Sequence, residues 1–219
     1  MKNIEKLINL INKENLFPNL SENNFEEFFG IYLLSCNIDD IDENFIHLQN
    51  EYLKNKYSDK IVEYKLAKKS INSPLDIKTD LLIIFSENLI IDAGAIYSGK
   101  YSMDNELIIR GGVEIKENIY RQYEQDRFVL NFRRPYIFDG VNMPAKVMAK
   151  ILVDTKCDHL DSEQKILGSI DNLLVWIKEN KITDCVLCLN NFTKNNKKIE
   201  KYIKKALKSA KIKEILEIL

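Results

Sequence analysis

The chain has 219 residues, a hydrophobic fraction of 45%, a charged fraction of 30% and a formal net charge of −1. That length can bury a sizeable core, and the near-neutral charge excludes a polycation that holds nucleic acid by bulk attraction, so any such binding needs a local basic patch. No apolar run approaches the ~18 residues of a membrane span, and the polar start Met1-Lys2-Asn3-Ile4-Glu5-Lys6 is unlike a signal peptide, so the expectation is a cytoplasmic protein with no membrane partner.

Taken in order, residues 2–15 place Ile4, Leu7, Ile8, Leu10 and Ile11 on a helical stripe. Phe17-Pro18-Asn19 breaks it, and Ser21 caps a second helix whose Phe25, Phe28, Phe29, Tyr32 and Leu33 recur at helical spacing. A third helix is expected over about 42–70, ending before Ser73-Pro74. At Asp80 the period changes. Leu81 to Phe85 is a continuous apolar run, as in a strand covered on both faces. Further strands are expected at 89–97, 106–117 and 127–132, making 80–133 an antiparallel meander. A helix over 144–153 has Pro144 in its first turn. Then come a helix over 162–180 capped by Asp161 or Ser162, a strand over 183–189 and a lysine-rich helix over 194–217. The fold class is α+β: a mixed central β-sheet with an antiparallel meander, flanked by helices on both sides. It forms a single domain over 1–219, with a helical region over residues 1–72 and an α/β core over residues 73–219.

Cys185-Val186-Leu187-Cys188 has the C-x-x-C form, but it lies in an apolar strand pattern where residues three apart face opposite sides. No second cysteine pair stands at zinc spacing, and His47 and His159 are isolated, so buried thiols are expected there rather than a metal.

One stretch, 92–116, suggests chemistry. On a strand over 106–117, Glu114 and Lys116 share a face, and Asp92 on the preceding strand supplies a second carboxylate if Gly111-Gly112 forms a bulge. Asp104, nearer in sequence to Glu114, competes with Asp92 for that role. Two carboxylates and a lysine on one sheet face can hold Mg²⁺ and stabilise a pentavalent phosphate. With Asp92 before Glu114-Ile115-Lys116, and an α-β-β-β-α-β order over 42–190, the chain resembles the PD-(D/E)xK nuclease superfamily, which includes many Type II restriction endonucleases. The resemblance implies Mg²⁺-dependent DNA cleavage in a restriction system, with Asp92, Glu114 and Lys116 catalytic and Asp92, Asp104 and Glu114 on the metal. It implies DNA as the partner and admits a homodimer. Arg121, Arg127, Arg133 and Arg134, and Lys197, Lys201 and Lys204 on the last helix, are then the cations for DNA phosphates.

Two alternatives stand beside it. The segments 86–91, 107–115 and 137–140, with Glu87 and the R-G-G of Arg110-Gly111-Gly112, are similar to class III nucleotidyl cyclase-like domains, which implies a degenerate nucleotide-binding domain. A non-enzymatic interaction or immunity-type protein is the third reading.

Overall fold

A computed structural model of the chain describes residues 2–13, 17–36, 41–63, 73–87, 103–189, 196–210, 212 and 214–218. They divide into two compact units: 1–60 with 90–118 and 141–143, and 61–89 with 119–140 and 144–219.

In the first unit, α1 (Lys2–Asn12), α2 (Phe25–Ser35) and α3 (Glu43–Tyr57) follow the expected helical stripes. The Asp42 carboxylate starts α3 by accepting the Asn44 N–H at 2.7 Å. Leu7, Ile11, Phe25, Phe29, Leu33, Phe45 and Leu53 form the core, each worth roughly 1.5–3 kcal/mol when fully buried. Phe25 stacks on Phe29 at 4.9 Å and Tyr32 meets Phe45 edge-on at 5.2 Å, arrangements that suit the ring quadrupole.

The expected strand over 106–117 does not form. Instead α4 (Met103–Gly111) and α5 (Val113–Gln125) flank Gly112, whose φ is +73°. The buried Leu107, Ile108, Ile115 and Ile119 recur at helical rather than strand spacing. Gly112 is therefore the left-handed hinge between two helices, not a sheet bulge. A Cβ there would lie 2.4 Å from the Gln49 amide nitrogen, while Gln49 Oε1 accepts the Val113 N–H at 3.1 Å.

The second unit is built on β2 (Ile77–Ser86). The strand order is β3 (Tyr136–Asp139), β4 (Ala145–Leu152), β2, β5 (Asp184–Cys188), β6 (Glu214–Ile218), with the two-residue β1 (Val62–Glu63) beside the start of β2. β2 runs parallel to β4 (Ile83 opposite Ala149) and to β5 (Ile83 opposite Leu187), and β5 runs parallel to β6. Only β3 among the described strands is antiparallel, to β4. Leu81, Ile83 and Phe85 pack with Ala149, Ile151, Cys185 and Leu187 under α6 (His159–Glu179) and α7 (Lys197–Ser209). Leu82 and Ile84, on the alternate face, are buried as well, as the continuous apolar run of β2 requires.

The mixed sheet and α+β class are as the sequence indicates, but the connectivity is not. No meander spans 80–133 among the described residues: β2 pairs with strands far along the chain, 127–132 is turn, and the expected strand 89–97 lies outside the described residues. The segment 144–153 is β4 rather than a helix. Its Ala, Lys, Met and Leu are good helix formers, and burial in the sheet overrides that preference. The closing segment divides into α7 and β6, and β1 stands within the expected long third helix. The cap of α6 is Asp158, whose side chain accepts the Asp161 N–H at 2.9 Å, rather than Asp161 or Ser162.

One polar cluster fastens the amino-terminal edge of the sheet. Asp80 accepts Lys146 Nζ at 2.6 Å and the Thr183 hydroxyl at 2.6 Å, while Asp184 accepts the Thr79 hydroxyl at 2.6 Å and the Asp80 N–H at 2.8 Å. Burial works against the Asp80 charge, but the Lys146 and Thr183 hydrogen bonds prevail and hold its pKa at about 2.

Candidate functional site

Among the described residues, the predicted nuclease residues do not come together as a metal site. Asp92 lies outside the described residues. Asp104 is buried at the start of α4. Glu114 stands in the first turn of α5 and accepts the Asn50 amide at 2.6 Å. Lys116, two residues on and so on a different side of the helix, donates to the carbonyls of Leu33 at 3.1 Å and Cys36 at 2.7 Å. Burial lowers its pKa. Both side chains thus serve contacts within the helical unit. Among the described residues no group of three or more His, Cys, Asp or Glu could hold a metal ion. Arg134 pairs with Asp126 at 2.7 Å, and Lys204 with Glu200 at 2.5 Å. Arg121, Arg127, Arg133, Lys197 and Lys201 are exposed, spread over three segments of chain.

The topology marks a different place. In an open α/β sheet, ligands sit beyond the carboxyl ends of the strands, where neighbouring strands send their onward connections in opposite directions. Here β2 leads on to β3 and then β4 on one side of the sheet, while its neighbour β5 leads on to β6 on the other. The divergence lies between Ser86 and Cys188, at the ends of β2 and β5. The chain leaves through Glu87 and Leu189 into segments 88–102 and 190–195, which lie outside the described residues, and re-enters α7 through Asn196.

What is described at this edge is polar and closely bonded. Asn196 Oδ1 accepts the N–H groups of Lys198 and Ile199, both at 3.2 Å, and starts α7. The end of β4 is tied to that of β2 by the Val153 N–H donated to the Ser86 carbonyl at 2.8 Å, and the Thr155 hydroxyl donates to Glu87 at 3.3 Å. Lys165 on α6 bridges Asp154 at 2.8 Å and Asp161 at 2.7 Å. Its hydrogen bonds hold both carboxyls below their usual range and raise its own pKa. Ser162 Oγ donates to the Asp154 carbonyl, and Glu163 pairs with Lys198 across α6 and α7. Sequence reasoning passed over this edge, because its residues are scattered over 86–198 and only the pairing of β2 with β5 joins them. The helical unit has a cleft of about 880 Å³ lined by Asn24, Glu26, Tyr52, Asn55 and Lys56 among others; its Glu26 and Lys56 neutralise one another at 2.8 Å.

Comparison with known proteins bears on the fold. No family model and no curated protein matches the sequence. Solved structures do match. The macro domain of ganglioside induced differentiation associated protein 2 superposes with a TM-score of 0.52 at 13% identity, over 72% of this chain and 88% of that one. The fold is macrodomain-like. The Trypanosoma brucei macrodomain in complex with ADP-ribose gives a TM-score of 0.50 at 11% identity, over 86% of this chain and 88% of that one. The Oceanobacillus iheyensis macrodomain with ADP gives 0.50 at 10% identity, over 65% and 76%. This macrodomain-like architecture overturns the PD-(D/E)xK resemblance, and with it the expectation of a DNA-cleaving restriction nuclease. Neither the cyclase-like nor the immunity-type alternative matches it. Mg²⁺ and DNA, expected on the nuclease resemblance, lose that basis.

Proposed function

We propose that this chain binds ADP-ribose, or a nucleoside diphosphate closely related to it, at the carboxyl edge of its parallel strands. The observation that carries this reading is the divergence of connections between β2 and β5, within a fold shared with macrodomains solved with ADP-ribose and with ADP. A diphosphate suits such an edge. Backbone N–H groups at strand ends and at the start of a following helix donate to it, and the helix dipole favours its charge. Here α7 is the next described helix after β5, and α6 the next after β4.

The test is titration calorimetry with ADP-ribose, ADP, AMP and ribose 5-phosphate. The reading expects saturable binding of ADP-ribose that weakens when the distal ribose or the diphosphate is missing. Absence of heat with ADP-ribose at millimolar concentration, from protein whose folding is confirmed by circular dichroism, would refute it.

A further inference from the structure

Helix α7 concentrates positive charge. It carries six lysines and one glutamate, in a protein whose formal net charge is −1. Its sides divide by burial. Ile199, Ile203, Ala206 and Leu207 are buried in the core of the sheet unit. Lys197, Lys198, Lys201, Lys205 and Lys208 are exposed, and Lys204 is half-buried.

Two of the six lysines serve the fold. Lys198 pairs with Glu163 of α6, and Lys204 pairs with Glu200 one turn before it at 2.5 Å. Asp171, a second acid that α6 presents to α7, accepts the Tyr202 hydroxyl at 2.5 Å. At its far end α6 carries Lys178 and Glu179, one charge of each sign. The acids of α6 and α7 that meet across the pair are therefore already engaged. Among the described residues, Lys197, Lys201, Lys205 and Lys208 have no ion pair and no side-chain hydrogen bond. They stand at i, i+4, i+8 and i+11, so they share one side of the helix. At about 1.5 Å per residue, the row is roughly 16 Å long.

A row of cations that no acid matches calls for an anion of several charges. The rest of the helix narrows its kind. None of the large hydrophobic side chains left exposed among the described residues is on α7. A helix that lies in a membrane surface needs its apolar side free to enter the lipid, and here that side is in the core. Protein interfaces have apolar centres and are depleted in lysine. A phosphate chain requires neither feature. Lysine meets phosphate as a point charge, and lysines along one side of a helix are the footprint of a nucleic-acid backbone held by charge. A single row on a convex surface reaches a single strand. With an advance of roughly 3.4 Å per phosphate, its length matches about five phosphates.

We infer that the Lys197, Lys201, Lys205 and Lys208 side of α7 docks the phosphodiester backbone of single-stranded RNA, by charge and without regard to base. This does not rest on the ADP-ribose reading.

The experiment uses the full chain and fluorescein-labelled oligo-uridylate, with binding followed by fluorescence anisotropy. Four phosphate contacts to a single strand give a slope of log affinity against log salt of about −2.8. Lys201→Gln combined with Lys205→Gln removes two of them. The slope should move to about −1.4, and affinity at low salt should fall about tenfold or more. Because the buried side of α7 is intact in this variant, its circular dichroism and melting temperature should match those of the parent. Lys6→Gln combined with Lys54→Gln, at two exposed lysines of the helical unit, is the control and should bind as the parent does. No binding of oligo-uridylate at low salt, an unaltered slope in the α7 variant, or an equal loss in the control would each overturn the inference. So would tighter binding of poly-glutamate than of oligo-uridylate at matched charge, or pelleting with phosphatidylserine vesicles that the α7 variant abolishes, since these assign the row to an acidic protein or to a membrane.

Discussion

The ammonium of Lys116 reaches across from α5 to the carbonyl oxygen of Cys36, 2.7 Å away at the carboxyl end of α2. The last carbonyls of a helix have no partner within it, and a cation there satisfies them and complements the helix dipole. Lys116→Met keeps the apolar stem and removes the donor. Urea unfolding should show a loss of about 1–3 kcal/mol, the cost of leaving buried acceptors unmet. A change within about 0.5 kcal/mol would show that water replaces the ammonium there.

Asp80 joins three segments of sheet edge through Lys146 and Thr183. Its carboxyl is held at about 2 when folded, against roughly 3.9 in an unfolded chain. A depressed carboxylate contributes stability above its unfolded pKa, and that contribution is lost as pH falls through its folded pKa. Stability should therefore fall between about pH 4 and pH 2 more steeply in the parent protein than in Asp80→Asn, which lacks the titrating group. Parallel curves for the two proteins would place the acid sensitivity elsewhere.

Gly112 separates two helices in a backbone region open to glycine, and its Cα faces the Gln49 amide. Gly112→Ala combines a left-handed penalty of roughly 1–2 kcal/mol with displacement of Gln49 from the Val113 N–H. Thermal unfolding should drop by several degrees. Gly168→Ala, where an added Cβ meets nothing nearer than 3.8 Å, should not destabilise the fold and serves as the control.

The two cysteines of the C-x-x-C pair are buried strand residues, and burial pushes the Cys185 thiol up to about 12 and raises that of Cys188 too. Reaction with a disulfide reagent needs the thiolate. Native protein should therefore label at Cys36 and Cys157, which are half-buried, well before Cys185 and Cys188, which should react only on unfolding. Prompt labelling of all four would contradict the burial of β5.

Much of the architecture was legible because burial leaves a period. The run Leu81–Phe85 and the stripe Ile166, Ile170, Leu173, Ile177 read directly as β2 and α6. Two segments misled for opposite reasons. In 106–117, Gly111-Gly112 looked like a sheet bulge, although the buried residues around it keep helical spacing. In Ala145–Leu152 the residues favour a helix one by one, and only the pairing with β2 makes them a strand. The short E-x-K pattern then drew attention to Glu114 and Lys116, whose partners Asn50 and Cys36 lie 64 and 80 residues away. The edge at the strand ends had no such local pattern, because it is formed only once β2 and β5 lie side by side.

The Thr79 hydroxyl donates to Asp184 across a sequence separation of 105 residues, and that span has a consequence for synthesis. At roughly 5–20 residues per second on the ribosome, β2 waits on the order of ten seconds for β5 to be made. Until β4 is made that strand, apolar on both faces, lacks its main sheet neighbours, and its β5 edge stays unpaired for the whole interval. The nascent chain is thus most exposed to misassociation between the emergence of Ile77 and that of Cys188. Slowing translation within this window should lower the soluble yield, and a chaperone that shields extended apolar segments should restore it.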